Sequence, residues 1–214
     1  MYVPTYFKDD RVPVLHDAIR RFGFGTLVTH DSSGLEASHI PLLLDDSQGR
    51  FGTLHGHLAR PNPQWKGIGS GTQALAIFLG PNTYISPSWY PTKQETGKVV
   101  PTWNYLAIHA YGEIHTFDDP ERLREHVTRL TKAHEGARPA PWAVSDAPSE
   151  FIDSMLRGIV GVVIRITRLE GKWKMSQNRA AQDQAAVLEG LMGEGGPDQT
   201  AVADIIRNRL KEQA

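Results

Sequence analysis

The chain of 214 residues contains no cysteine. This absence excludes disulfide bonds, thiolate nucleophiles and any zinc or iron–sulfur site that needs Cys ligands. The chain also lacks an excess of charge: 23 basic and 24 acidic residues give a net charge of −1, so no general attraction to DNA or to an anionic membrane is expected. Long apolar runs are missing as well, since stretches such as 74–79 and 159–164 are far too short to span a bilayer. The first residues show no basic segment followed by an apolar one, and we predict a cytoplasmic protein that does not contact membranes.

Signature motifs of several enzyme classes are also missing, including the GxSxG nucleophile turn and the HExxH zinc site. The glycine-rich string GIGSG at 67–71 follows no predicted strand and opens no apolar helix, so it fits neither a dinucleotide fingerprint nor a P-loop. His55 and His57 lie two apart on a predicted strand and therefore share a face, with His39 on a neighbouring strand. Because histidines without a nearby carboxylate are more often hydrogen-bonding residues than ligands, we predict no metal site.

Turn residues alternate with short β-rich runs through most of the chain, which predicts an antiparallel sheet. A short capped helix precedes the sheet, beginning after Asp9 and Asp10 and ending at Gly23. The turns DSSG and DSQG separate the first three strands. Strands are predicted at GTLVTH, LEASHIPLLLD, FGTLHGH, ALAIFL, TYISPSWY, VPTWNYLAIHAYGEIHTF and GVVIRITRLEGKWKMS, and further helices at 118–135, 149–156, 183–192 and 200–210. We expect a mainly β fold with peripheral helices, most naturally closed as a barrel.

The segment YISPSWYPTKQETGKVVPTWNY at 84–105 is unusually rich in aromatic residues and prolines. Aromatic rings offer flat stacking surfaces with polar tips, and prolines hold such surfaces rigid before a ligand binds. Packing in the core is the alternative, but Ser86, Ser88, Thr102 and Asn104 add polar groups that favour a ligand pocket.

The string GHLARPNP at 56–63 places His57, Arg60 and Asn62 at a strand end and at the start of a predicted helical turn. Backbone N–H groups and a guanidinium in such a position suit a phosphate, so we predict an anion contact here.

Six basic residues with a single acid among them, Glu170, occupy the region 157–179. The six are Arg157, Arg165, Arg168, Lys172, Lys174 and Arg179. A nucleic-acid surface is one interpretation, and a solvated strand face is the other. The last two predicted helices carry no helix-turn-helix signature, which favours a role in dimer packing or capping.

Several long strings coincide in order and spacing: GTLVTH...GLEASHIPLLLD, GHLARPNPQW, YISPSWYPTK, GKVVPTWNY and EGKWKMSQNR. Together they resemble the PaiB family of FMN-binding negative transcriptional regulators. The resemblance implies an FMN-binding split β-barrel with peripheral helices, as in the pyridoxamine-phosphate-oxidase and flavin-reductase group, which forms a homodimer with FMN at the subunit interface. It divides the chain into a split-barrel domain at 1–179 and a C-terminal helical extension at 180–214 that packs on the barrel or the dimer.

The resemblance also implies where FMN binds. In the split-barrel group the flavin lies along the second strand, its phosphate is held around the end of the third, and a long later strand faces the partner's flavin. The residues implied are Ser38, His39 and Ile40 on the second strand, His57, Arg60 and Asn62 around the third, Trp103 and Asn104 on the long strand, and Lys174 and Gln177 at the last strand.

Two classes of function stay open. The first is a ligand-responsive homodimeric regulator, for which DNA is an open partner. The second is a flavin-dependent oxidoreductase or a haem-handling protein of the same barrel type, and the nine histidines keep haem as an alternative cofactor. The chain lacks the RxVLLK and SRK strings of the oxidase enzymes, so pyridoxamine-phosphate oxidation is not carried over.

Overall fold

The structure is a computed structural model that describes residues 1–32 and 34–212. Ser33 lies outside the described residues, so the predicted DSSG turn is described only in part. Within the described residues no helix is both long enough and apolar enough to cross a membrane.

The described residues form eight strands and six α-helices. The strands are Lys8–Asp9 (β1), Phe24–Asp31 (β2), Gly34–Pro41 (β3), Leu43–Asp45 (β4), Thr53–Ala59 (β5), Gln73–Ile85 (β6), Thr102–Phe117 (β7) and Ile159–Lys174 (β8). The α-helices are Val12–Arg21 (α1), Pro91–Thr96 (α2), Pro120–Glu135 (α3), Ser149–Arg157 (α4), Ala181–Glu194 (α5) and Pro197–Glu212 (α6). Short 3-10 helices occur at Thr5–Phe7, Pro63–Gly67, Pro87–Trp89 and Val144–Asp146.

The strands form one sheet in the order β3-β2-β6-β7-β8-β5-β4, with β1 paired to β8 off this path. The pairs of β2 with β3, β2 with β6, β4 with β5 and β5 with β8 are antiparallel. Side chains alternate in burial along β2, where Leu27 is fully buried and Val28 is half-buried, as the two-residue period of a strand requires. The prediction of a mainly β chain with peripheral helices is confirmed.

Three predicted strands differ from the structure. LEASHIPLLLD is interrupted at Leu42, which separates β3 from β4 and points into the core with 4% of its surface exposed. ALAIFL and the start of TYISPSWY belong to one strand, β6, which continues through Gly80 and Pro81 instead of turning there. The rest of TYISPSWY forms a 3-10 helix, in which the Ser86 hydroxyl caps the N–H of Ser88.

The chain divides into two compact units. The first comprises Met1–Ala18, Leu79–Ile108 and the chain from Glu170 onward; the second comprises Ile19–Phe78 and His109–Leu169. The predicted boundary at residue 179 stays a prediction.

In the second unit, glycines let backbone and side chains approach closely. A Cβ at Gly56 on β5 would lie 2.9 Å from a methyl group of Leu42, and a Cβ at Gly161 on β8 would overlap the ring of Phe117. Helices α3 and α4 share an apolar cluster of Leu123, Val144, Ile152 and Leu156 with the Val144–Asp146 turn.

In the first unit, α5 packs on the Pro87–Trp89 turn, on α2 and on α6. Asp183 of α5 is 3% exposed and accepts hydrogen bonds from the backbone N–H of Thr92 (3.2 Å) and from its hydroxyl (2.8 Å). Gly190 of α5 faces the indole of Trp89, which a Cβ at this position would overlap. Helix α5 is therefore held on the aromatic segment 84–105, and α6 packs on α5.

Candidate functional site

Ser38 and Asn62, two predicted site residues of the second unit, lie in direct contact. Asn62 caps the 3-10 helix Pro63–Gly67 by accepting a hydrogen bond from the N–H of Gln64 (2.9 Å). Its amide Nδ2 donates to the hydroxyl oxygen of Ser38 on β3 (2.8 Å). Because the Ser38 oxygen accepts this bond, its own proton can be donated to a ligand.

His39 lies on the opposite face of β3 and is exposed. Its Nδ1 is 3.0 Å from the hydroxyl of Thr26 on β2, and its ring is stacked on Phe24 with centroids 6.4 Å apart and planes at 27°. The strand register places Val28 opposite Ala37 on the same face, and Phe24 and Leu35 at its ends are 69% and 76% exposed. His39 thus sits within an exposed, largely apolar sheet face.

Ile40 contributes its side chain to the core instead of to a surface. It is 7% exposed, and one of its methyl groups would lie 3.2 Å from a Cβ at Gly56. Only the backbone of Ile40 can therefore contact a cofactor. Because β3 stands at one end of the strand order, one of its backbone edges can offer N–H and C=O groups to a ligand.

Arg60 is bonded to the protein backbone. Its Nε donates to the carbonyl of Arg157 (2.7 Å) and its Nη2 to the carbonyl of Ile159 (2.9 Å), which ties the end of β5 to the junction of α4 and β8. Its Nη1 lies 3.9 Å from the carboxylate of Asp118. A phosphate could use only the N–H groups that remain, and the role of Arg60 as a phosphate ligand stays a prediction.

His57 contacts a histidine of α3. Its Nδ1 is 3.1 Å from Nε2 of His126, and the two rings meet edge to face with centroids 5.3 Å apart. Burial lowers the pKa of His57. The strand alternation turns its neighbours Gly56 and Leu58 to the other face, so His57 belongs to the α3 side of β5.

The other predicted residues lie in the first unit, at the starts and ends of β7 and β8. Lys174 donates from Nζ to the hydroxyl of Thr102 and to the carbonyl of Trp103. Burial, followed by the nearby charge of Lys172, lowers the pKa of Lys174. Lys174 and Thr102 line a small cavity of about 50 Å³ together with Asn104. The structure therefore brings Trp103, Asn104 and Lys174 together.

Two of these residues have clear structural partners. Asn104 is fully buried and exchanges hydrogen bonds with the Ser176 hydroxyl at 3.0 and 3.2 Å. Gln177 accepts from the N–H of Met175 (2.6 Å) and donates to the carbonyl of Trp173, which closes the turn after β8. Ser176 in this turn has a φ of 63°, a conformation that the surrounding bonds hold in place.

The aromatic segment 84–105 is divided between packing and surface. Tyr90 is 2% exposed, with the guanidinium of Arg179 4.9 Å from its ring centroid, and Trp89 packs on Gly190. Tyr84 and Trp103 stay exposed at 46% and 53% and meet edge to face at 6.3 Å. Only this second pair offers the flat surface that the composition predicts.

The basic residues near the end of β8 are engaged with aromatic rings. Lys172 is 9% exposed, and its Nζ lies 5.7 Å from the ring centroid of Tyr2 and 5.2 Å from that of Tyr105. In the second unit, Arg168 stacks on Tyr111 at 3.4 Å. Lys172 is therefore not on a solvated strand face. Its charge is stabilised by the aromatic faces and by the carbonyl of Tyr2, which accepts a hydrogen bond at 3.1 Å.

Gln64 and Thr26 are residues of this region that the sequence motifs do not indicate. Gln64 is 2% exposed, and its amide donates to the carbonyl of Leu27 (3.3 Å) and the hydroxyl of Thr29 (3.1 Å). Through these bonds Gln64 fixes the 3-10 helix, which Asn62 caps, to strand β2. The order Asn-Pro-Gln, with proline at the first helical position, is the sequence signal that predicts this helical turn.

Comparison with known proteins identifies the family. Residues 1–168 match the family described as "Putative FMN-binding domain". Over its whole length the chain is also 33% identical to the protease synthase and sporulation protein PAI 2 of Bacillus subtilis, with 100% of both chains covered. The chain belongs to this FMN-binding domain family. The resemblance drawn from its sequence strings is confirmed, and FMN is the cofactor that the family assigns.

Solved structures share the fold at low sequence identity. The conserved hypothetical protein Rv2991 of Mycobacterium tuberculosis matches with a TM-score of 0.58 at 12% identity, covering 84% of this chain and 94% of that chain. The FAD and haem binding protein of Mycobacterium smegmatis matches with a TM-score of 0.58 at 14% identity, covering 88% of this chain and 80% of that chain. The predicted split-barrel fold is confirmed by this likeness.

The residues on β3 fit the ring system of an FMN. A flavin presents carbonyl oxygens and ring nitrogens at its edge, and these can be met by the Ser38 hydroxyl and by the backbone edge of β3. The stack of Phe24 and His39 lies on the opposite face of the sheet from the Ser38 hydroxyl, so it is not part of the same flavin contact. The edge of the flavin is thus met within the second unit by the Ser38 hydroxyl, which Asn62 holds in place, and by the backbone of β3.

Proposed function

We propose that this protein is an FMN-dependent negative regulator of transcription that acts as a homodimer. The observation that carries the proposal is the similarity to PAI 2 across 100% of both chains. This similarity extends beyond residues 1–168 and therefore includes the C-terminal helices. A relative named a protease synthase and sporulation protein favours a regulatory role over an oxidoreductase or haem-handling role.

In this proposal Ser38 donates its hydroxyl proton to the flavin edge, and Asn62 orients the Ser38 oxygen. His39 and Phe24, on the opposite face of the sheet, belong to the apolar surface that a partner subunit would cover, and Thr26 fixes the orientation of the imidazole. When bound, FMN supplies a ring system whose charge and shape change on reduction. The remaining residues bind and orient the ring, so the redox state of FMN is the signal that a regulator could use.

The homodimer is supported by the sheet face around His39. Phe24, Leu35 and Ala37 are exposed there, and Val28 and Ile77 extend the same face across β2 and β6. An apolar face of this kind is uncommon on a monomer and typical of a subunit interface. A partner subunit on this face would also cover the His39 and Phe24 stack.

The flavin assignment is tested by titrating FMN into the Ser38→Ala variant. Loss of one hydrogen bond should weaken binding about fivefold, since such a bond contributes about 1 kcal/mol. Ser70→Ala, in the loop before β6, removes the same hydroxyl elsewhere and should leave the affinity unchanged. Equal affinities for the wild type and Ser38→Ala would contradict the assignment.

Regulation is tested with the purified protein and DNA fragments selected from the organism's genome. We expect retained fragments from upstream regions, with an affinity that differs between oxidised and reduced FMN. Absorption spectra of the same sample identify the cofactor, because FMN and haem absorb differently. A haem spectrum would contradict the regulator proposal in favour of a haem-handling protein. Steady oxidation of NADPH without any DNA retention would contradict it in favour of an oxidoreductase.

A further inference from the structure

A second polar cavity lies in the second unit between α3 and the strands β5 and β8, on the face of β5 that carries His55 and His57. Its volume is about 240 Å³, enough for several water molecules. From α3 it is lined by four polar residues at helical spacing: Arg122, Glu125, His126 and Arg129. The other lining residues are Gln48, Thr53, His55, Phe117, Val163 and Arg165.

The charges that face this cavity are mainly positive. Three guanidinium groups line it, those of Arg122, Arg129 and Arg165, whereas Glu125 is the acid among the lining residues. Arg129 is partly compensated by Asp45 on β4, at 3.2 Å. Three guanidiniums around one cavity repel one another, and an anion placed between them would relieve that repulsion and accept their planar N–H groups.

Two histidines that line this cavity, His55 and His126, each carry a buried ring nitrogen without a hydrogen-bond partner among the described residues. His126 is 5% exposed, and its buried Nδ1 has no hydrogen-bond partner among the described residues. Nε2 of His55 is likewise buried and has no hydrogen-bond partner among the residues that the structure describes. Buried polar atoms are normally hydrogen-bonded, so orphaned ring nitrogens in a charged cavity point to a ligand that completes them.

The contact with His57 determines whether Nδ1 of His126 is a hydrogen-bond donor or an acceptor. If Nδ1 of His57 donates to Nε2 of His126, the neutral His126 ring carries its proton on Nδ1 and is a donor. An oxyanion selects this tautomer, because it accepts from Nδ1–H. A metal ion is disfavoured, because no group of three His, Asp or Glu side chains in the described residues is arranged to hold one.

We propose that this cavity binds a small, doubly charged oxyanion such as phosphate, at a site separate from the flavin-binding residues of β3. The guanidiniums of Arg122 and Arg165 hold the anion from the two walls, and His126 donates from the buried end. The site would allow a small anionic metabolite to act on the regulator independently of FMN.

The test uses the full-length, FMN-loaded protein and inorganic phosphate as the probe, titrated by calorimetry in a buffer without other polyanions. The wild type should bind one phosphate per chain saturably. The double variant Arg122→Gln/Arg165→Gln should bind it about a hundredfold more weakly, since each of the two lost charge-assisted bonds is expected to cost about one decade. Both residues are exposed, which limits the effect on folding.

The matched control is Arg124→Gln/Arg168→Gln, which removes the same charge from the same helix and strand outside the cavity lining. It should bind phosphate as the wild type does. A second readout is the nitrogen NMR spectrum of the histidines, in which phosphate should fix the His126 proton on Nδ1. Absence of saturable phosphate binding by the wild type, or equal weakening in both double variants, would overturn the proposal.

FMN itself has a phosphate and could be the source of the anion. The two possibilities separate when FMN and riboflavin are titrated against the cofactor-free form of each variant. A second site predicts that Arg122→Gln/Arg165→Gln leaves FMN affinity unchanged. If the variant weakens FMN but not riboflavin, the cavity holds the flavin phosphate, and the separate site is refuted. That result would leave the FMN-dependent regulator itself intact.

Discussion

His126 shows how one buried side chain couples folding to pH. Burial, followed by the neighbouring His57 and His55, lowers its pKa from the ordinary 6.5 to about 4. The folded protein therefore holds this ring neutral, whereas the unfolded chain binds a proton below about pH 6.5. A buried neutral histidine of this kind stabilises the fold only while the solution is not acidic enough to protonate it.

We predict that the free energy of unfolding falls as the pH decreases from 7 towards 4. The depressed pKa means that the unfolded state binds more protons throughout this window, so stability is complete above pH 6.5 and is lost towards pH 4. The total loss from His126 is about 3 kcal/mol, at roughly 1.4 kcal/mol per pKa unit. Urea unfolding at pH 7, 6 and 5 measures it. His126→Gln should flatten the slope in this window, and an unchanged slope in that variant would assign the pH dependence to other groups.

Helix α5 contains two glycines for which the same substitution has opposite expected effects. Gly190 faces the indole of Trp89, and an added methyl group would overlap that ring. A Cβ added at Gly193, about one turn later, would meet none of the described residues within 4 Å. Contact with the aromatic segment, and not helix propensity, therefore decides the outcome at Gly190.

We predict that Gly190→Ala lowers the free energy of unfolding by about 1 to 2 kcal/mol, because overpacking outweighs the gain in helix propensity. Gly193→Ala should raise it by a few tenths to about 1 kcal/mol, since alanine is the better helix former. Urea denaturation of both variants measures the two effects, and Trp89 fluorescence reports whether the indole moves. If both variants were equally stabilised, the packing of α5 on Trp89 would be wrong.

The sequence predicted elements well where one local pattern decided them. Helix α3 and the long strands β7 and β8 occur close to the predicted bounds. The string Gly80-Pro81-Asn82 is typical of a turn, yet β6 runs through it because neighbouring strands override local preference. The helical turns that begin at Pro87 and Pro91 had a signal, since proline favours the first position of a helix.

The site was only partly predictable for a related reason. Ser38 and Asn62 are 24 residues apart and meet only because the 3-10 helix folds back on β3. Arg60 looks like a phosphate ligand in sequence, but its bonds to carbonyls of residues 157 and 159 depend on a junction almost a hundred positions away. Such long-range contacts leave no trace in local spacing.

The exposed apolar surface that suits a partner subunit lies on β2, β3 and β6. The resemblance implies that the long strand β7 faces the partner's flavin, yet in the single chain that strand is mostly buried or half-buried, with Trp103 as its exposed aromatic residue at 53%. In the second unit the exposed apolar face is formed by β2, β3 and β6, with Leu35 at 76% exposure. A second copy of the chain on this face would remove that apolar surface from water.

We predict that Leu35→Glu/Ala37→Glu converts a homodimer into a monomer. Burying two carboxylates against an apolar partner surface is strongly unfavourable, whereas both positions are exposed in the single chain and should tolerate the change. Phe151→Glu/Met155→Glu is the matched control, because it places the same charges on exposed apolar positions of α4 in the same unit. Light scattering coupled to size exclusion gives the mass of each variant, and FMN titration shows whether the cofactor needs the dimer. A wild-type monomer at micromolar concentration would refute the dimer, while dissociation of the α4 variant alone would move the interface to α4.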